Sequence, residues 1–152
     1  MSCSKLVSPR LIFWKMQRNG SGGLDQSMIL IVDDNPTNRF ILAKMLESRG
    51  YTVSEATNGP DAIEWIRTND PAAVLMDINM PGMSGVEAAL EIKRLLGSQA
   101  PAIIAVTSDN TSVRQIECKD AGFGGFIPKP VRMQSLFEII NQHLTPRAAV
   151  DP

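Results

Sequence analysis

The chain has little that would mark a secreted, metal-stapled or nucleic-acid-binding protein. Its 152 residues include two cysteines, Cys3 and Cys118, which lie far apart and lack the paired spacing of a zinc ribbon or a disulfide framework. A reducing cytoplasm is the expected compartment. Fifteen Lys and Arg stand against sixteen Asp and Glu, a net charge of −1, so no bulk charge is available to hold a nucleic acid or a membrane surface. No apolar run approaches the roughly 18 residues of a membrane-spanning helix. Leu11-Ile12-Phe13-Trp14 is too short for a signal-peptide core, and no small-residue cleavage pattern clearly follows it.

What is present suffices for a core, since 43% of the residues are hydrophobic and the length suits one domain of ordinary size. Charge is uneven: residues 1–27 carry +3 and the remainder −4. Gly20-Ser21-Gly22-Gly23 has the composition of a flexible linker. The expected organisation is a basic arm and linker over 1–27, a folded domain over 28–146 and a short tail over 147–152.

From residue 28 to 144, strand-like and helix-like stretches alternate five times. Met28 to Val32 is an unbroken aliphatic run, as in a parallel strand buried on both faces. After Asp33-Asp34, Asn35-Pro36 supplies an N-cap followed by proline at the first helical position. Phe40, Ile41, Leu42, Met45 and Leu46 then recur at helical spacing until Gly50. Tyr51 to Ala56 alternates as a second strand, Pro60 to Arg67 is a short helix with Ile63 and Ile66 inward, and Ala73 to Met76 is a third strand ending at Asp77. Ser84 to Leu96 is helical with Gly97 as its stop, and Ala102 to Val106 is a fourth strand ending at Thr107. Thr111 to Ala121 is a fourth helix, Phe123 to Ile127 a fifth strand, and Met133 to Leu144 a last helix that closes before Pro146.

Five βα units predict a doubly wound α/β fold, a parallel sheet with helices on both faces. Ligands of such sheets bind beyond the carboxyl ends of the strands. The strand ends supply Asp33-Asp34, Asp77, Thr107 and Lys129, which would converge on one rim. Three carboxylates crowded there repel one another unless a cation shares the site. Oxygen ligands without His or Cys favour a hard divalent ion such as Mg²⁺, with Mn²⁺ as a substitute. An aspartate beside such an ion can attack phosphorus and form an aspartyl phosphate. Asp77, read as a surface carboxylate, is the expected nucleophile, because the loop Ile78-Asn79-Met80-Pro81-Gly82 can curl its backbone toward a ligand. Thr107 and Lys129 would hold the phosphoryl oxygens.

Asp33-Asp34 after an aliphatic strand, Met76-Asp77-Ile78-Asn79-Met80-Pro81-Gly82-Met83-Ser84-Gly85, Val106-Thr107-Ser108 and Lys129-Pro130 together resemble the receiver domain of two-component response regulators. The resemblance spans about 28–144 and implies a flavodoxin-like (βα)5 fold with strand order 2-1-3-4-5. It implies that Asp77 accepts phosphate from a histidine kinase or histidine phosphotransferase. Asp33, Asp34, Asp77 and the backbone carbonyl of Asn79 would hold Mg²⁺, while Thr107 and Lys129 bind the phosphoryl group. Phe126, where the family often has Tyr, would be the switch aromatic that turns inward as Thr107 moves. The output face would be the fourth helix, fifth strand and fifth helix, with Arg114, Lys119 and Arg132 as contacts and a monomer or weak dimer through that face. Asn79 and Asp109, two residues beyond the acceptor and the threonine, would admit or orient the water that removes the phosphoryl group, unless Asp109 merely caps the fourth helix.

The opening Asp33-Asp34-Asn35-Pro36-Thr37-Asn38-Arg39 also resembles receivers of hybrid sensor kinases and phosphorelays. No output domain fits in the eight residues after Leu144, so a stand-alone receiver is expected, a signalling domain rather than an enzyme. Two other readings compete. An aspartate-nucleophile phosphatase of the haloacid dehalogenase type would carry a second Asp where Asn79 stands, and a pseudo-receiver would bind partners without phosphorylation. His143, near the expected end of the last helix where the dipole favours a cation, reads as a surface residue. Cys118 reads as a free structural thiol, and the sequon Asn110-Thr111-Ser112 is without meaning in the cytosol.

Overall fold

Aliphatic strands without polar alternation are satisfied only inside a sheet covered on both faces, and the computed structural model places them there. It describes residues 28–109 and 111–149, without the side chains of 144–149. The arm and linker over 1–27, Cys3, Asn110 of the sequon and residues 150–152 of the tail lie outside the described residues. The elements are β1 (Met28–Val32), α1 (Pro36–Glu47), β2 (Thr52–Ala56), α2 (Gly59–Thr68), β3 (Ala73–Asp77), α3 (Gly85–Leu96), a 3-10 turn (Gly97–Gln99), β4 (Ala102–Thr107), α4 (Ser112–Asp120), β5 (Gly125–Pro128) and α5 (Met133–Ala149). The five strands are parallel in the order β2-β1-β3-β4-β5. The expected doubly wound fold and strand order are what the chain adopts.

Side chains of alternate strand residues feed two separate cores. Leu30, Val32, Val74, Met76, Ile103 and Ala105 face Ala62 and Ile66 of α2, Ala88, Ala89 and Ile92 of α3, and Cys118 of α4. Ile29, Ile31, Leu75, Ile104, Val106 and Ile127 face Leu42, Ala43 and Leu46 of α1 and Leu136, Phe137 and Ile140 of α5. Thus α1 and α5 cover one face and α2, α3 and α4 the other. Among the described residues no helix is long and apolar enough to cross a membrane.

Local details depart from the sequence expectation in several places. In α1 only part of the apolar set faces the sheet: Leu42 and Leu46, four apart, are buried, whereas Phe40 and Ile41 point away and are exposed. Thr111 is the N-cap of α4 rather than its first residue, its side chain accepting from the Arg114 N–H. Phe123 is not part of β5. With Gly122 at φ 94°, the N–H of Gly122 donates to the Lys119 carbonyl and that of Phe123 to the Cys118 carbonyl. This Schellman arrangement packs Phe123 beneath Cys118 and delays the strand to Gly125. Finally, α5 runs to Ala149, past Pro146. An interior proline forfeits one backbone bond and crowds the carbonyl four residues before it, which is why the sequence alone places the end of the helix before Pro146.

One glycine couples the fold to the rim. The Gly85 N–H donates to the Ile78 carbonyl at 2.9 Å, folding the β3–α3 loop back on itself. A Cβ at Gly85 would stand 2.2 Å from the Asp77 carbonyl oxygen and 2.9 Å from Ile78 Cα, so backbone would have to move. Gly85→Ala is therefore expected to destabilise the domain by about 1–3 kcal/mol, read as a lower urea midpoint at unchanged m-value.

Candidate functional site

The carboxyl ends of β1, β3 and β4 are neighbours, so their last residues meet in three dimensions although far apart in sequence. Asp33, immediately after β1, is 1% exposed. Its Oδ1 accepts the Asn35 N–H at 2.9 Å, and its Oδ2 accepts Asn38 Nδ2 at 3.3 Å and Lys129 Nζ at 3.1 Å. Asp77, the last residue of the central strand, has Lys129 Nζ 3.5 Å from its Oδ1 and also accepts the backbone N–H of Asn79. Asp34 is exposed. Each of the three aspartates offers a carboxylate oxygen within 4.8 Å of the others. Hard oxygen donors at that separation, without His or Cys, fit a divalent cation of the Mg²⁺ class.

Asp77 is buried rather than the surface carboxylate expected, because β1 and β4 flank its strand and the β3–α3 loop folds over it. Burial, seconded by the negative charge of Asp33, pushes its carboxyl up to about 6, with Lys129 opposing the rise.

Thr107, fully buried at the end of β4, holds its Oγ1 as acceptor for the Asp109 N–H at 3.1 Å, with Asn79 Nδ2 at 3.5 Å. Lys129 follows β5 and its own N–H donates to the Thr107 carbonyl at 3.0 Å, which carries the ammonium to the rim. Asp33, Asp34, Asp77, Thr107 and Lys129 are thus brought together as the sequence suggested. Asn79 stands beside Thr107.

The remaining expected residues sit elsewhere. The Asp109 carboxylate accepts from the Thr111 N–H at 3.4 Å, the Thr111 hydroxyl at 3.1 Å and Arg114 Nε at 3.3 Å. These contacts, the Thr111 amide first, hold its carboxyl below the usual range. It therefore braces the start of α4, whose capping residue is Thr111. Arg114 is occupied by Asp109 and by Glu117 at 2.7 Å. Phe126 on edge strand β5 is half-buried and lines a groove of about 420 Å³ with Ile116, Cys118 and Phe123. Burial raises the thiol of Cys118. His143 lies inside α5 rather than near its end, so the dipole argument does not apply, and its Nε2 is 3.2 Å from the Gly124 carbonyl.

Sequence reasoning assigned no role to Asn38, Arg39 or Glu55. Arg39 donates from Nη1 to the Asp33 carbonyl and from Nε to Glu55 Oε1, both at 2.8 Å. The local signal was only two polar residues on the first turns of a helix, and the Glu55 partner lies sixteen positions away on another strand.

Five parallel strands in this order with an acidic cluster at their carboxyl edge define the flavodoxin-like receiver architecture of two-component signal transduction. The chain belongs to the response regulator receiver domain family, whose family model matches residues 29–141. It is similar to protein PilH of Pseudomonas aeruginosa, at 37% identity over 113 residues that cover 74% of this chain and 93% of PilH. Among solved structures it is similar to the receiver domain of a Pseudomonas aeruginosa sensor histidine kinase with a magnesium ion coordinated in the active-site cleft (29% identity, TM-score 0.73, 80% of this chain and 99% of that one). It is also similar to the co-crystal structure of the Saccharomyces cerevisiae histidine phosphotransfer protein Ypd1 with the receiver domain of its downstream response regulator Ssk1 (26% identity, TM-score 0.76, 86% of this chain and 97% of that one).

The raised Asp77 carboxyl has a stability consequence. Folded Asp77 keeps its proton up to about pH 6 and the unfolded residue only to its ordinary 3.8. Between those values the folded state binds more protons, and the contribution of this group to stability falls as pH rises through the window. Asp77→Asn is expected to stabilise the metal-free domain at pH 7 by up to about 3 kcal/mol. The gain should shrink below pH 6 and vanish near pH 4, as checked by urea unfolding in EDTA at both pH values.

Proposed function

We propose that the chain is a phosphoacceptor switch or relay whose acceptor is Asp77. The observation that carries this reading is the Asp77 carboxylate, grouped within 4.8 Å with those of Asp33 and Asp34 and 3.5 Å from the Lys129 ammonium, on the strand next to the one that ends in the buried Thr107. The donor is a phosphohistidine on a histidine kinase or histidine phosphotransferase, a reading supported by the Ypd1 complex of the similar receiver. An Asp77 carboxylate oxygen attacks phosphorus, the P–O bond forms as the P–N bond breaks, and the imidazole leaves and takes a proton. Lys129 moves its ammonium from Asp33 to a phosphoryl oxygen, and Thr107 donates its hydroxyl to another.

Asp33, Asp34 and Asp77, with the Asn79 carbonyl, would hold Mg²⁺ or Mn²⁺. When bound, the ion supplies positive charge against the carboxylates and the phosphoryl oxygens. The magnesium-bearing cleft of the similar kinase receiver supports that choice. The receiver domain begins at Met28 and, with α5 running to Ala149, extends past the expected boundary at 146. The free, buried Cys118 suits a reducing cytoplasm.

Movement of Thr107 on phosphorylation, followed by Phe126, would repack the face made by α4, β5 and α5, which is the output surface and the route to a weak dimer. Val113 and Ile116 already stand exposed there. A small acyl phosphate with Mg²⁺ is expected to introduce acid-labile phosphate and shift backbone NMR signals as far as α4 and β5. Asp77→Ala should abolish both, and Asp34→Ala should weaken Mg²⁺ binding by at least about tenfold, the scale that even outer-shell changes reach. Phosphate entering Asp77→Ala would overturn the acceptor assignment; failure to label the parent would favour a pseudo-receiver.

Asn79 is exposed beside Thr107 and can orient the water that hydrolyses the aspartyl phosphate. Asn79→Met is expected to lengthen the lifetime of the phosphorylated form severalfold. Asp109→Leu should lengthen it less, because that carboxylate is turned toward Thr111 and Arg114. The decay of the phosphorylated protein after removal of the donor measures both.

A further inference from the structure

We propose that Arg39, anchored on Glu55, is the positioning residue that aims the acidic pair at a divalent cation; the inference rests on the metal reading above. No hydrogen bond or ion pair holds the exposed Asp34 carboxylate among the described residues, yet it stands within 4.8 Å of the other two carboxylates. Its direction is therefore set by backbone. The Asp33 carbonyl belongs to the same planar peptide unit as the Asp34 nitrogen, so fixing that carbonyl fixes the departure of the chain into Asp34.

The Arg39 guanidinium provides the fixture. Nη1 donates to the Asp33 carbonyl while Nε donates to Glu55 Oε1, both at 2.8 Å, and the side chain is only 16% exposed. Glu55 comes from β2, which pairs with β1 in register and whose Ala56 carbonyl accepts the Asp33 N–H at 3.2 Å. The Asp33 peptide units are thus clamped on one side by β2 and on the other by a helix residue that β2 itself steadies. Asn38, the preceding residue of α1, holds the Asp33 carboxylate from the same helix.

An isolated surface ion pair would contribute little. Here the carboxylate serves as the anchor and the second arm of the fork reaches the ligand's backbone, a geometry that a lysine ammonium does not reproduce. Partners of metal ligands act in this way, by orienting groups that touch the ion.

The test titrates Mg²⁺ into the full chain, followed by backbone NMR shifts, with phosphate uptake from a small acyl phosphate as the second readout. Arg39→Met is expected to weaken Mg²⁺ binding about tenfold and to raise the Mg²⁺ needed for half-maximal uptake to the same extent, with uptake recovering at saturating Mg²⁺. Arg39→Lys should restore part of the affinity. Glu55→Gln, a change on an exposed edge-strand side chain, should weaken binding less, and the Arg39→Met, Glu55→Gln double variant should match Arg39→Met alone, because Glu55 acts through Arg39. Parental Mg²⁺ affinity in Arg39→Met, or losses that simply add in the double variant, would overturn the proposal. A parent chain that binds no Mg²⁺ would instead overturn the metal reading itself.

Discussion

Two buried carboxylates from neighbouring strands share one cation, Lys129, and the rim is organised around that shortage of positive charge. Its ammonium is 3.1 Å from Asp33 and 3.5 Å from Asp77, while Asp34 adds a third negative group at the edge. One ammonium against three carboxylates leaves the cluster underneutralised, and burial together with the Asp33 charge holds the Asp77 carboxyl up at about 6. That deficit is what a hard divalent ion would offset, and under the proposed function the ammonium would turn toward a phosphoryl group. Everything else in the domain serves to keep these groups close despite their repulsion.

The sheet does most of that holding. Because β1 and β3 are adjacent although α1, β2 and α2 separate them in sequence, Asp33 and Asp77 approach only when the crossover is complete. The two aliphatic cores clamp the strands from both faces, so the acidic edge is borne by well-packed β-structure rather than by loops alone. Gly85 adds a closer constraint, letting α3 begin in contact with the Asp77 backbone where no side chain fits.

Most elements were legible in the sequence because β1, β3 and β4 are continuous aliphatic runs and α1 to α4 carry caps, and the rim was legible because those three strands lead into Asp33-Asp34, Asp77 and Thr107. What escaped depends on relations between distant residues. Periodicity selects Phe40 and Ile41 as apolar but not which stripe of α1 meets the sheet. Phe123 reads as strand until the turn at Gly122 claims its N–H for the end of α4. Asp77 read as exposed because its neighbours are supplied by other strands. The Arg39 clamp needs the β1–β2 register to bring Glu55 within reach, and nothing in either local segment indicates the pairing.

The helix that borders the groove is held to the sheet by very little. Of the nine residues of α4, Cys118 alone is buried, and Val113 and Ile116 face outward. Its amide protons should accordingly exchange through local opening well before those of α1 or α3, which bury three and five residues each. A weakly moored segment can change its packing without loss of the acidic rim, so the outer surface of α4 is free to diversify while the rim stays fixed.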